Sequence, residues 1–289
     1  MACSWNPVKL GRTDLRAVPL GLAASYGIGE KDVDRAAERG LNLFYWGSRR
    51  TPGFGRALAR ALARDRDKVV TVIQSYSRSG STIARSLEEA LRALAIDRTD
   101  VLLLGWWNSP PPERILDSAA ELVRRGRARH VMISCHHRPT FPLLARDARV
   151  GLLQVRYNAA HPGADDDVFP HLPADRPGVV AYTSTSWGQL LDPAHVPRGE
   201  RAPAATDCYR FVLTSPFVDA CYAGPANGEQ LDAAMRALDL GPMKDEELAW
   251  MRRVGENVHE RTRLRNRGMA IADRVVDLFS RFGSRLGRG

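Results

Sequence analysis

Residues 98–135, RTDVLLLGWWNSPPPERILDSAAELVRRGRARHVMISC, contain the unit from which the whole chain is built. VLLLG (101–105) and HVMIS (130–134) are short, uninterrupted apolar runs of strand length. Between them, Glu113–Arg125 places Ile115, Leu116, Ala119, Leu122 and Val123 on one face of a helix. A strand with one wet face alternates apolar and polar residues, whereas a strand covered on both faces reads as a continuous apolar run. The segment therefore predicts strand, helix, strand, with the two strands parallel and the helix packed across them.

The same alternation extends in both directions. Further runs are AVPLGL (17–22), LNLFYW (41–46), VVTVI (69–73), LLQVRY (152–157), VVAYT (179–183) and VDACYA (218–223). Helical periodicity returns between them, as in 81–96, where Ile83, Leu87, Ala90, Leu91 and Leu94 share a face. Eight parallel strands with intervening helices predict a closed (β/α)8 TIM barrel of class α/β. No glycine fingerprint of the GxGxxG type follows the first strand, which counts against an open doubly wound sheet. VKL-GRTD-LRA ahead of strand one reads as a small N-terminal hairpin turning at Gly11–Asp14. Residues 1–259 form the barrel in this reading, and 260–289 a C-terminal helical extension.

Composition narrows the function classes. The chain has 289 residues and a formal net charge of +9, ordinary values for a single globular domain of this architecture. Only Lys9, Lys31, Lys68 and Lys244 are lysines; the other basic residues are arginines. Eight arginines against three acids lie in 260–289, so more than half of the net charge belongs to the tail. A basic face on the barrel, and with it nucleic-acid binding, is not expected. In the tail, Met269, Ile271, Val275, Leu278, Phe279, Phe282 and Leu286 make an apolar stripe, suited to packing on the barrel, on a partner or on an anionic membrane surface. Cys3, Cys135, Cys208 and Cys221 lack ligand spacing, so neither a structural zinc nor a disulfide framework is expected. MACSWNPVKL does not read as a secretion signal, and the expected location is cytoplasmic.

In such a barrel the chemistry gathers where strands end. Those positions hold Tyr45, Trp46 and Ser48; Gln74 and Tyr76; Trp106 and Trp107; and Ser134, Cys135, His136 and His137. They continue with Gln154, Arg156 and Asn158, then Tyr182, Thr183, Ser184 and Trp187, and finally Gly224. An aromatic-walled pocket with few charges follows, with Trp46, Gln74, Trp106, Arg156 and Trp187 around a small-molecule ligand. His136 is the candidate proton carrier because imidazole titrates near neutrality. Tyr45 is expected to act beside it, on a substrate lying against Trp46 and Trp106. Arg156 needs a partner if buried: Asp165, Asp166 or Asp167, or the carboxylate or phosphate of a ligand.

Seven of these stretches, in order, resemble the aldo/keto reductase family over about Val8 to Val258. They are LGRTDLRAVPLGL, GLNLFYWGSRRTPGFGRAL, DVLLLGWW, ARHVMISCHH, LLQVRYN, GVVAYTSTSWGQLL and FVLTSPFVDACYAGPANGEQLDAAM. The resemblance implies the barrel, carbonyl reduction and an NADP cofactor. It also implies an Asp, Tyr, Lys and His tetrad, but the matching positions here are Tyr45, Arg50, Gln74 and Gly105. Of the cofactor positions, Ser134, Gln154 and Tyr182 match residues that hold and stack the nicotinamide, and Cys135 replaces an Asn. The turn from Gly224 to Asn227 leads into a helix able to offer N–H groups to a phosphate. The basic residues for the adenosine phosphate are replaced by Gly224, Gln230 and Ala234. The resemblance therefore implies a diverged member without tetrad-based reduction, a pseudoenzyme that binds a small ligand or dinucleotide. An NADPH-dependent oxidoreductase with another proton donor and a non-catalytic scaffold are the alternatives.

Overall fold

A computed structural model describes residues 5–47 and 51–263 of the chain. β1 (Val8–Lys9) and β2 (Arg16–Ala17) pair antiparallel as the N-terminal hairpin. Then follow β3 (Leu20–Ala23), α1 (Glu30–Glu38), β4 (Leu43–Trp46), α2 (Pro52–Arg64), β5 (Val70–Ser75), α3 (Gly80–Leu94), β6 (Thr99–Trp107) and α4 (Glu113–Arg124). The second half holds β7 (Ala128–Cys135), α5 (Phe141–Leu144), β8 (Val150–Arg156), α6 (Ala164–Asp167), β9 (Gly178–Tyr182), α7 (Ala205–Thr214), β10 (Ala220–Ala223) and α8 (Gly228–Leu240). A last helix, α9, covers 245–263. Strands β3 to β10 close in sequence order into a parallel barrel, β10 pairing with both β9 and β3. All eight predicted strands are present, but after β7 and β8 the expected helices shrink to single turns.

Alternation along each strand builds two apolar layers. Leu43, Val72, Leu103, Met132, Leu152 and Val180 fill the barrel interior, while Phe44, Ile73, Leu102, Leu104, Ile133 and Leu153 meet the helices outside. Leu10, Leu15 and Ala17 of the hairpin join the interior layer and seal its N-terminal end. That end also carries a compensated ionic cluster. The Asp100 side chain is 1% exposed and lies 3.0 Å from both Arg66 and Arg129, and Thr71 donates to it from its backbone N–H and hydroxyl. Arg12 donates to the carbonyls of Ala145, Asp147, Val150 and Asp175, fixing the hairpin turn to the β8 side of the floor.

Helix α9 packs across the loops that follow β8 and β9. Gly255 lies so close to the Ala159 carbonyl that any Cβ would overlap it, which is why the helix can approach. Asn257 and Arg261 donate to the carbonyls of His195 and Ala194, and His259 Nδ1 donates to the Ala160 carbonyl. The helix runs unbroken through positions 259 and 260, and the apolar stripe beyond 263 lies outside the described residues. Among the described residues no helix is long and apolar enough to cross a membrane.

Candidate functional site at the barrel mouth

The inward-facing residues at the C-terminal ends of the strands converge on one mouth. On β4, Leu43 and Tyr45 point in, while Phe44 and Trp46 point out. Trp46 is therefore not a pocket residue: it packs on Gly55 of α2, and its indole N–H reaches Thr51. Trp107 is likewise buried on the outer side. The mouth retains Trp106 and Trp187, 61% and 62% exposed, together with Tyr26 and Tyr76. The aromatic wall is thinner than the sequence suggested, because an unbroken apolar run conceals which residues face inward.

At the positions that match the family's catalytic residues by resemblance, the two described side chains, Tyr45 and Gln74, are uncharged. The Tyr45 ring lies 5.2 Å from that of Tyr222, and burial, helped by the adjacent Tyr76, holds its phenol far above the ordinary tyrosine range. The Gln74 amide lies over Gly105, where any side chain would overlap it, so the residues at these two positions are sterically coupled. Lys68, ahead of β5, sits at the opposite end of the barrel and pairs with Asp65 at 2.6 Å. Arg50, together with Ser48, lies outside the described residues. His136 is exposed beyond the end of β7, its N–H bonded to the Trp107 carbonyl at 2.7 Å. Three steps around the barrel separate β4 from β7, so Tyr45 and His136 do not form an acid–base pair. Cys135 points outward, buried, with its thiol pushed up by burial; that is not a nucleophile's setting.

Ser134, Gln154 and Tyr182 occupy three adjacent strands, with Ser134 directly across from Gln154 and Tyr182 directly across from Arg156. Arg156 faces the mouth, but not toward the predicted acids. Asp167 is taken by Arg138 at 2.7 Å, and Asp165 accepts from the Tyr157 hydroxyl at 3.2 Å. Instead, the Arg156 guanidinium lies 4.7 Å over the Trp187 ring and donates to His161 Nε2 at 2.6 Å. Several buried polar atoms here have no hydrogen-bond partner among the described residues: Gln74 Oε1, Gln154 Oε1, Arg156 Nε, Tyr182 Oη, Ser184 Oγ and Tyr222 Oη. Such groups are costly to bury unpaired, so the mouth is built for a polar occupant or for water.

The loop after β9 is bent unusually sharply. Thr183, Ser186 and Trp187 have φ of 61°, 51° and 52°, a region that L-residues seldom adopt. Trp106 has φ 55° and is clamped by Arg78, which donates to the carbonyls of Tyr76, Gly105 and Trp106 while lying 3.8 Å over Trp107. Sequence reasoning missed Arg78, His161, Tyr26 and Tyr222. Only Tyr222 left a signal, sharing inward parity with Ala220 in VDACYA.

The residues present fit a nicotinamide dinucleotide at one end only. Gln154 offers an unsatisfied carbonyl, with Ser134 beside it, where a carboxamide is expected. At the other end, Gly224 is covered by the Tyr26 ring. The α8 N-terminus is already capped: Asn227 accepts from the Gln230 N–H at 3.0 Å, and Gln230 accepts from the Ala226 N–H at 2.8 Å. The Asp32 carboxylate lies against Gly228, paired there with Arg35, which also donates to the Gly228 carbonyl. The Tyr26 ring and the filled cap leave little room at this end for the phosphate half of NADP in the family's manner. Among the described residues no three His, Cys, Asp or Glu side chains gather into a metal site.

Comparison with solved structures agrees with the barrel. The aldo-keto reductase AKR11C1 from Bacillus halodurans is 18% identical in its holo form, with a TM-score of 0.74 over 86% of this chain and 96% of that one. The apo form of the same protein gives a TM-score of 0.72 at the same coverage. The model of the aldo/keto reductase family matches residues 30–207, well over half of the sequence. With that match and the closed eight-stranded barrel, the chain belongs to the aldo/keto reductase family.

Proposed function

We propose that the barrel mouth binds a small polar molecule and that this chain does not carry out tetrad-based carbonyl reduction. The observation that supports this reading is the uncharged set Tyr45, Gln74 and Gly105 at three of the four matching positions, Arg50 lying outside the described residues. Tyr45 is buried beside other phenols with its pKa raised, and the Gln74 amide fills the space left by Gly105. A general acid needs a pKa near the working pH and a proton within reach of the reacting atom. Among the described residues no cation acts on Tyr45, and its pKa is raised rather than lowered. The orphaned acceptors and donors around it are suited to recognition, holding a ligand by hydrogen bonds and excluding water.

A second reading, an NADP-dependent oxidoreductase with another proton donor, is supported by Ser134, Gln154 and Tyr182 on adjacent strands. When bound, the cofactor would supply a hydride. Ser134 and Gln154 would orient a carboxamide, and the Tyr182 ring would form one wall. Thermal-shift titrations with NADPH and NADH, followed by hydride-transfer assays against a carbonyl panel, separate the two. The expected result is no turnover above background, since loss of the general acid alone lowers rates by about 10²–10⁴-fold. Turnover that disappears in a Tyr45→Phe variant would overturn the proposal.

A further inference from the structure

Arg156 carries a charge that the described part of the protein does not neutralise. It projects into the mouth from the end of β8, opposite Tyr182; of its acidic candidates Asp165 and Asp167 are engaged elsewhere, and no ion pair joins Asp166 to it. Burial pulls its pKa below the usual arginine value, yet a guanidinium stays charged in a protein. Its Nε is buried with no partner. Half-buried cations of this kind are normally matched by an anion, because desolvation without a counter-charge is expensive.

The side chain is also held ready. A guanidinium only donates, so His161 Nε2 must be the acceptor and its proton lies on Nδ1. That Nδ1 faces Asn158 Oδ1 at 3.3 Å, and Asn158 Nδ2 donates in turn to the Thr183 carbonyl at 2.8 Å. Thr183 opens the strained loop that presents Trp187, whose ring supports the other face of the guanidinium. The His259 ring of α9 lies 5.7 Å from that of His161 and backs it from outside. His161 is thus a positioning residue: it fixes Arg156 without adding charge.

We infer that Arg156, with Trp187 and Tyr182, forms a subsite for the carboxylate of a small organic acid. This inference rests on the small-ligand reading of the mouth and names its substrate class. A carboxylate is favoured over a phosphate dianion because, among the described residues, Arg156 is the inward cation without a carboxylate or carbonyl partner, and its inward neighbours Ser134, Gln74, Gln154, Tyr45, Tyr182 and Tyr222 are uncharged at neutral pH. The nearby Arg138 is already paired with Asp167. One positive charge matches one negative charge.

Calorimetric titration of the full chain tests it, with benzoate as probe, benzamide as its neutral isostere and inorganic phosphate as the competing anion. Benzoate is expected to bind saturably, with benzamide weaker by about tenfold or more and phosphate no tighter than benzoate. Arg156→Gln should weaken benzoate by about tenfold or more, and Arg156→Lys by less, because it keeps charge but loses the fork. Circular dichroism checks that both variants fold, and Trp187→Phe, remote from the strand ladder, should weaken binding by about threefold. Equal binding of benzamide and benzoate, or an Arg156→Gln variant within twofold of the parent, overturns the carboxylate assignment and leaves the small-ligand reading standing. Phosphate binding tenfold tighter than benzoate also overturns it. No saturable binding by any of the three probes removes the assignment, while failure of NADPH alone to bind bears only on the second functional reading.

Discussion

The two ends of the barrel treat charge in opposite ways. At the N-terminal end the ionic groups are engaged within the protein: Asp100 with Arg66 and Arg129, Asp14 with Arg129, Arg176 with Asp219 at 2.8 Å, and Arg12 with four backbone carbonyls. At the mouth a guanidinium stands without a carboxylate and a ring of amides and hydroxyls without partners. Backbone strain divides the same way. Of the described non-glycine residues with positive φ, Ser25, Thr183, Ser186 and Trp187 lie in loops at the mouth and Trp106 near the C-terminal end of β6, and only Ala95 lies at the other end. One end satisfies its own polar groups; the other leaves several open to a ligand or to water. Unpaired charge and strain persist where the rest of the fold can support them, and such places are commonly functional.

The most disruptive way to test this contrast is to unbalance the complete end. Asp100→Ala leaves Arg66 and Arg129 without their shared carboxylate and Thr71 without its acceptor. Breaking a buried ionic cluster typically costs about 3–5 kcal/mol. Urea denaturation should show a loss of that size, with no change in benzoate affinity per folded molecule. If affinity falls in parallel with stability, the two ends are not independent.

A smaller effect comes from pH at the mouth. Burial, then the charge of Arg156, then His259 and Arg138, lower His161 from the ordinary 6.5 to about 4. Between those values the unfolded chain takes up a proton that the folded chain refuses, so stability must fall as pH drops from 6.5 toward 4. With a tenfold change in proton affinity worth about 1.4 kcal/mol, the loss approaches about 3 kcal/mol, less whatever solvent screening removes. Denaturation midpoints at pH 7, 5.5 and 4.5, compared with His161→Gln, isolate this slope from the carboxylates. An unchanged slope in the variant would assign the effect elsewhere.

The smallest effect sharpens the comparison of strain. Ala95 caps α3 with φ 53°, a conformation that glycine adopts freely. Ala95→Gly should raise stability by about 0.5–1 kcal/mol and leave the mouth untouched. Trp187→Gly removes a similar backbone strain, yet should abolish the support of Arg156 and with it most probe binding. Thermal melts and calorimetry on the pair separate strain that serves nothing from strain that positions a side chain.

The strands were legible because each is covered on both faces, so eight apolar runs stand out whatever their helices do. That same uniformity hid direction. LNLFYW contains nothing polar to mark its inward residues, and Trp46 was accordingly expected in the pocket although it packs on Gly55. Where polar residues alternate, as in Gln154, Arg156 and Asn158, facing could be read correctly. Their partners could not. Asp165 and Asp167 are close in sequence to Arg156, but the short α6 turns them to Tyr157 and Arg138. The contribution of α9 through His259 depends on a contact spanning about a third of the chain, which no local pattern encodes.

The hairpin has one more consequence. Because Leu10, Leu15 and Ala17 stop the far end of the barrel, the mouth is a well rather than a tunnel. Whatever binds must leave by the route it came in, past Trp187, Trp106 and Tyr26. Two molecules therefore cannot follow one another through the protein, and a second ligand must wait for the first to depart. Residence time, rather than throughput, is then the property that side chains at the opening are placed to set.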